Sequence, residues 1–157
     1  PFLRVAENLI DKEDFVLKLH TKKSPHRDDG SIIRAELLAA LCDAEAARNI
    51  VAMFERDNRL GLVACRKHFH PLNGFLGANQ TGLDYLKSRT GVPHPKDFPA
   101  GSMYWIRLNS IRPLLDAGFR AWEFEVENSQ IDGTLAHSIE RALARVVESS
   151  GYTINRV

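Results

Sequence analysis

The amino-acid sequence predicts an α/β domain, on three observations. Two short apolar runs, residues 15–19 and 60–65, have the length of strands, and polar residues bound them, as at buried strands. Between them lie two stretches whose apolar residues recur at helical spacing, together long enough for a crossover connection. Both runs end in basic residues.

Taken in order, residues 1–11 read as a helix, with Phe2, Leu3, Val5, Ala6, Leu9 and Ile10 on one face. The first strand, 14–19, follows. What leaves it is densely cationic: His20-Thr21-Lys22-Lys23-Ser24-Pro25-His26-Arg27, with no acid before Asp28. Asp28-Asp29-Gly30 makes a turn, and Ser31 is placed to cap a largely buried helix whose only charges are Arg34 and Glu36. Asp43 is the expected N-cap of the next helix, which turns Ile50, Val51, Met53 and Phe54 inward. The second strand runs into Arg66, Lys67, His68 and then His70. Residues 71–78 read as a loop and 81–89 as a helix. Pro93, Pro95 and Pro99 argue against regular structure in 91–99. An apolar and aromatic strand lies within 100–107, where Gly101-Ser102 permits close approach by a ligand or another strand. A short helix at 111–117 has Arg112-Pro113 in its first turn and Gly118 as its stop. Residues 122–127 alternate, which fits an edge strand or an extended acidic loop. The last long helix opens at Asp132 and buries Leu135, Ile139, Leu143 and Val146. Gly151 ends it, and 152–157 fit a final strand.

At 157 residues and 44% hydrophobic content the chain suits one domain, 1–157, with a real core. A net charge of +1 argues against a general nucleic-acid binder. Cys42 and Cys65 lie in apolar surroundings and read as free thiols, which fits a reducing cytoplasm. No window has the length and apolarity of a membrane span.

In open α/β sheets, ligands bind outside the carboxyl ends of the strands. If the two strands run parallel, their basic ends meet at one edge, an arrangement suited to a phosphate or diphosphate. Lys22, Lys23 and Arg27 are the candidates for phosphate contact, with His20 and His26 in support. A solvated surface loop is the competing reading of the same residues. On the last helix, Thr134, His137 and Arg141 share a flank. Arg141 either reaches a phosphate or pairs with an acid such as Glu140. His68 and His70 lack a third ligand at recognisable spacing, so no metal is expected. Tyr104 and Trp105 point to opposite faces, and at least one of them is expected in the core rather than against a sugar.

Three segments together resemble the rhamnan synthesis protein F family, bacterial glycosyltransferase-type proteins of cell-wall and lipopolysaccharide polysaccharide assembly. They are Phe15-Val-Leu-Lys-Leu-His-Thr-Lys-Lys-Ser-Pro-His26, Ala100-Gly-Ser-Met-Tyr-Trp105 with Arg107, and Asp132-Gly-Thr-Leu-Ala-His-Ser-Ile-Glu-Arg141. The resemblance implies a glycosyltransferase A-like (Rossmann-like) mixed sheet flanked by helices. It also implies a preceding segment with the first strands of the nucleotide-binding half, so that these residues form the C-terminal part of a larger domain. Activity is then expected of the longer protein rather than of this part alone. The implied reaction is transfer of a sugar, typically rhamnose, from dTDP-rhamnose to a lipid-linked glycan acceptor, with inversion, in the cytoplasm at the inner face of the membrane. No cofactor is implied: His20-Thr21-Lys22 stands where that fold usually places a metal-binding Asp-x-Asp, and fixed cations would neutralise the leaving diphosphate instead. Inversion needs a carboxylate to take the acceptor's proton. The resemblance puts Asp132 first, at the start of the last helix, with Glu125 and Glu127 in reserve, while N-capping alone also explains an Asp there. Ser102, His137 and Arg141 complete the expected substrate-binding set. The alternative is a non-catalytic module that binds a polyanion or glycan, or scaffolds a polysaccharide synthase.

Overall fold

A computed structural model of the chain describes residues 2–20, 28–126, 128 and 130–157. In chain order the elements are α1 (Phe2–Leu9), β1 (Phe15–Lys18), α2 (Gly30–Cys42), α3 (Ala44–Arg56), β2 (Leu60–Ala64), β3 (Phe69–Pro71), α4 (Gln80–Thr90), β4 (Asp97–Pro99), β5 (Tyr104–Arg107), α5 (Arg112–Asp116), α6 (Leu135–Ser149) and β6 (Thr153–Arg156). Short 3-10 turns at Arg66–His68, Leu72–Gly74, Leu108–Ile111 and Ala121–Glu123 link them. The main sheet has the order β1-β5-β2-β6, and β3 and β4 form a separate two-stranded ribbon.

The sheet is mixed and separates two apolar clusters, so the domain is α/β with helices on both faces. Leu37 and Leu41 of α2, with Ile50 and Phe54 of α3, pack with Leu60, Val63 and the half-buried Trp105. On the other face α1, α4, α5 and α6 bring Ala6, Leu83, Leu114, Leu143 and Val147 against Leu62, Ala64 and Ile106. β2 is buried along its whole length, as its unbroken apolar run predicts. Where α6 and β6 come closest to β2 only glycine fits. A Cβ on Gly61 would lie 2.6 Å from Tyr152 Cβ and 2.7 Å from Val147 Cγ1.

Several local expectations change. β1 is an edge strand, half-buried throughout, because it pairs with β5 alone. α2 starts at Gly30 behind Asp29, without a side-chain cap from Ser31. Asp43 does cap α3, accepting from the amides of Glu45 and Ala46. Residues 71–78 and 91–99 are not all loop. Pro71, Phe98 and Pro99 sit in the β3–β4 ribbon, where a two-stranded pairing tolerates prolines at its ends. The alternating residues 122–126 form no strand; their first part is a 3-10 turn. No helix among the described residues is long and apolar enough to cross a membrane.

At the amino end of β2 a buried arginine closes the sheet. Arg107 donates through Nε to the Leu60 carbonyl at 2.9 Å and through Nη2 to the carbonyls of Phe54 and Asp57 at 2.8 and 3.1 Å. Nη1 pairs with Asp14, and the guanidinium lies 5.4 Å from the centre of the Phe54 ring.

Candidate functional site

β1 and β2 each run antiparallel to β5 and are therefore parallel to one another, with β6 parallel to β2. The expected convergence of their carboxyl ends holds, although β5 stands between them. Lys18, Ala64 and Arg156 end at one edge, where β5 begins at Tyr104.

Lys18 is the first charge at this edge. Its Nζ donates to the Ser102 carbonyl at 2.6 Å. The ammonium lies 5.2 Å from the centre of the Tyr104 ring and 5.8 Å from that of Phe2. Burial lowers its pKa, and the nearby Glu140 carboxylate works against that shift. The Gly101-Ser102 turn that receives it is left-handed at both residues, with φ of 90° and 53°. Positive φ in a serine is strained and persists only where the surroundings fix it. Here Lys18 holds the Ser102 carbonyl, and Glu140 of α6 accepts from the Gly101 amide at 2.9 Å. Leu37 of α2 closes the third side, 2.7 Å from where a Gly101 Cβ would stand.

The first turns of α6 lie at the same edge. Thr134 is the N-cap, accepting from the His137 amide at 3.3 Å, and its hydroxyl is 2.7 Å from His137 Nδ1. Glu125 accepts from the Leu135 amide at 2.9 Å. Asp132 precedes the cap and does different work. Its carboxylate accepts from Asn79 Nδ2 at 2.5 Å and from the Ala78 amide at 3.1 Å, and it lies 3.1 Å from Arg141 Nη2. Burial pushes its pKa up, but those hydrogen bonds, the Gly133 amide and Arg141 outweigh it, and the net shift is downward. Arg141 also donates from Nε to the Phe75 carbonyl at 2.9 Å and from Nη1 to the His137 carbonyl at 3.2 Å, and Glu140 lies 3.8 Å away. Beyond β2, His68 Nε2 is 2.8 Å from Glu36, which also pairs with Lys67. Those two hydrogen bonds, Lys67 foremost, lower the Glu36 pKa.

Ser102, Asp132, His137 and Arg141 are thus gathered at the edge, with His20 half-buried two residues beyond β1. Lys22, Lys23, His26, Arg27 and Glu127 lie outside the described residues. Of the paired aromatics, Tyr104 is buried, and half-buried Trp105 donates to the Leu41 carbonyl at 2.9 Å. Among the described residues no three His, Cys, Asp or Glu side chains are placed to hold a metal ion. Sequence reasoning missed Lys18 as an individual, and missed Glu36 and Glu140 at the edge. A lysine between Leu17 and Leu19 was the available signal for Lys18; the two acids, one helical turn or less from apolar positions, carried none.

The family described as rhamnan synthesis protein F matches residues 1–152. Two curated relatives from strains of Xanthomonas campestris pv. campestris, both named "Uncharacterized protein WxcX", are each 49% identical over 161 residues, covering 100% of this chain. The chain spans 23% of the length of these relatives. No solved structure gives a significant match. The resemblance carried by the cationic stretch, the Gly101-Ser102 strand and the Asp132 segment is thereby borne out, and the chain belongs to the rhamnan synthesis protein F family.

Proposed function

We propose that the carboxyl edge of this sheet is the catalytic end of a sugar-transferring unit in rhamnan-type polysaccharide synthesis, working without a metal and with inversion. The carrying observation is that β1 and β2 end at one edge, each followed by basic residues, opposite Arg141 and Asp132 of the α6 segment. A dTDP-rhamnose diphosphate would meet Lys22, Lys23 and Arg27, with His20, His26, Ser102, His137 and Arg141 around it. The acceptor hydroxyl oxygen, carried by a lipid-linked glycan, would attack the anomeric carbon as the carbon–oxygen bond to the diphosphate breaks. The leaving charge would fall on fixed cations, which stabilise it without reorganising. Asp132, ionised at neutral pH as an ordinary aspartate is, would take the hydroxyl proton. The likeness to a glycosyltransferase A fold, the cytoplasmic setting beside the membrane and the unit's place in a larger transferase belong to the same proposal.

Calorimetric titration with dTDP, dTDP-rhamnose and GDP tests it, with and without EDTA, on the intact chain and on Lys22→Ala/Arg27→Ala. The expected result is diphosphate binding that survives EDTA and disappears in the double variant. Absence of binding both here and in the longer polypeptide of the relatives' length would sink the proposal.

A non-catalytic glycan- or polyanion-binding module is the second reading. It is favoured by one observation: Asp132, Glu140, Glu36 and Glu125 all already hold hydrogen bonds. In the longer polypeptide Asp132→Asn separates the two. Loss of transfer with donor binding retained supports a base, and unchanged transfer removes Asp132 from that role.

A further inference from the structure

Asp132 and Asn79 each stand at the start of a helix, each is of a residue type that caps helices, and neither does so. Thr134 caps α6 in place of Asp132. Asn79 directly precedes α4, yet its φ of −90° and ψ of −1° lie in the right-handed helical region and its side chain makes no capping bond. The two side chains bond each other instead, Asn79 Nδ2 donating to Asp132 Oδ1 at 2.5 Å.

Asn79 is wholly buried and its orientation is fixed. Nδ2 also donates to the Leu76 carbonyl at 2.7 Å, so turning the amide over would set its oxygen against two acceptors. The amide oxygen, which would otherwise cap α4, is buried and finds no donor among the described residues. A buried acceptor without a partner lowers stability. The fold accepts that loss, and the missing cap, where it aims one donor at one carboxylate oxygen.

The backbone around the pair is shaped to the same carboxylate. The Ala78 amide donates to Asp132 Oδ2 at 3.1 Å. Gly77, at φ 51°, makes room for that oxygen, since a Cβ there would stand 1.8 Å from it. Gly133, at φ 79°, passes so close that its Cβ would lie 3.1 Å from that of Ala78. Residues 76–79 are thus a seat for Asp132. The Asp132 side chain is 24% exposed, while Asn79 beneath it is closed to solvent. A reachable acid on an unreachable holder is what fixing a base in place requires.

Arg141, 3.1 Å from Oδ1, is the charged group paired with this carboxylate, and Glu140 stands 3.8 Å from Arg141. His137 is turned to Thr134, Glu125 to the Leu135 amide, and on α4 Asp84 is engaged with Gln80 and His94. If Arg141 turns to a bound diphosphate, Asn79 and the Ala78 amide keep Asp132 where it is.

We propose that Asn79 is the positioning residue of Asp132, holding its carboxylate where it takes the proton of the acceptor hydroxyl. This rests on the transferase reading above. Carbon-13 NMR of the carboxyl groups reads the contact in this chain, with Asp132→Asn marking which resonance belongs to Asp132. Asn79→Ala removes a donor to the charged form, so the Asp132 titration should move to higher pH. In the longer polypeptide of the relatives' length the same variant should lower kcat about tenfold or more, with dTDP-rhamnose bound at unchanged affinity and stoichiometry. The acid limb of kcat should move in the same direction as the NMR titration. A role confined to stability would lower the unfolding temperature and leave kcat and its acid limb unmoved. Should Asn79→Ala not fold, Gly77→Ala keeps Asn79 and pushes the carboxylate off its seat, with the same upward titration and loss of kcat expected. An Asp132 titration unmoved by both variants overturns the proposal, and so does an unmoved kcat with an unmoved acid limb. Asp132→Asn in the longer polypeptide keeps the two ideas apart. If it abolishes transfer with donor binding retained while Asn79→Ala transfers at full rate, Asp132 is the base and Asn79 does not position it. If it leaves transfer unchanged, the base assignment and its positioning fail together.

Discussion

Arg107 at the end of β5 and Arg141 on α6 are both largely withdrawn from solvent, and each guanidinium lies just over 5 Å from the centre of a phenylalanine ring. Their partners differ. Arg107 donates to three backbone carbonyls, of which that of Asp57 also accepts from the Leu60 amide, and Asp14 takes its remaining reach. Arg141 shares its donors among two carbonyls and two carboxylates, one of which is 24% exposed. A buried backbone carbonyl cannot be exchanged for anything else. A carboxylate at a sheet edge can yield its place to another anion. The contacts of Arg107 are thus fixed by the fold, while those of Arg141 include exchangeable ones, as the proposed site requires.

The largest expected effect removes the fixed contacts of Arg107. Arg107→Ala removes a buried donor from the carbonyls of Leu60, Phe54 and Asp57 and unpairs Asp14, and should cost about 3–5 kcal/mol in urea unfolding. Arg107→Lys should recover little, since an ammonium cannot reproduce the planar fork. A loss below about 1 kcal/mol would contradict the role given to those contacts. Next to it, Gly61→Ala forces a methyl group against Tyr152, Val147 and Ser110, and should cost about 1–3 kcal/mol by overpacking. At the carboxyl edge, Arg141→Ala should cost only about 1–2 kcal/mol. Its telling effect is on ligand response. Added dTDP should raise the unfolding temperature of the intact chain and leave that of the variant unmoved. Equal responses would make the two arginines alike.

The smallest effect is the acid sensitivity of Asp132. Its folded pKa is depressed, so its contribution is present above the ordinary aspartate value of about 4 and is lost as pH falls through the lower folded value. Asp132→Asn should flatten the acid limb of the stability curve there and leave the neutral region nearly parallel. An unchanged acid limb would place the acid-labile contact elsewhere.

What sequence could reveal follows the range of each interaction. The helices were readable because a periodic face is a local pattern, and β2 because a strand covered on both sides is apolar without alternation. The shared edge of β1 and β2 was readable from their basic ends. The antiparallel β5 between them was not, since no local pattern gives the order of strands. β1 reads as a buried strand for a related reason: Phe15, Val16 and Leu17 do contact helices on both faces, and only its outer backbone edge lacks a neighbouring strand. Prolines hid the β3–β4 ribbon because their usual effect holds for strand interiors. Asp132 was picked out as an acid near a helix start, but its grip on Asn79 and Ala78 spans more than fifty positions and leaves no spacing to read.

The pairing of the main sheet also bears on how the molecule is made. Phe15 lies opposite Arg107, Leu62 opposite Ile106, and Leu60 beside Thr153. Every rung joins distant stretches of chain, so loop-closure entropy must be met before any rung forms. On the ribosome, β2 is made before β5 and long before β6, with five apolar or small residues that the finished fold buries. The rungs of β1 and β2 with β5 need chain only as far as Arg107, and the sheet is complete only once β6 is made. Until then the exposed β2 is the segment most open to capture by chaperones or by other nascent chains.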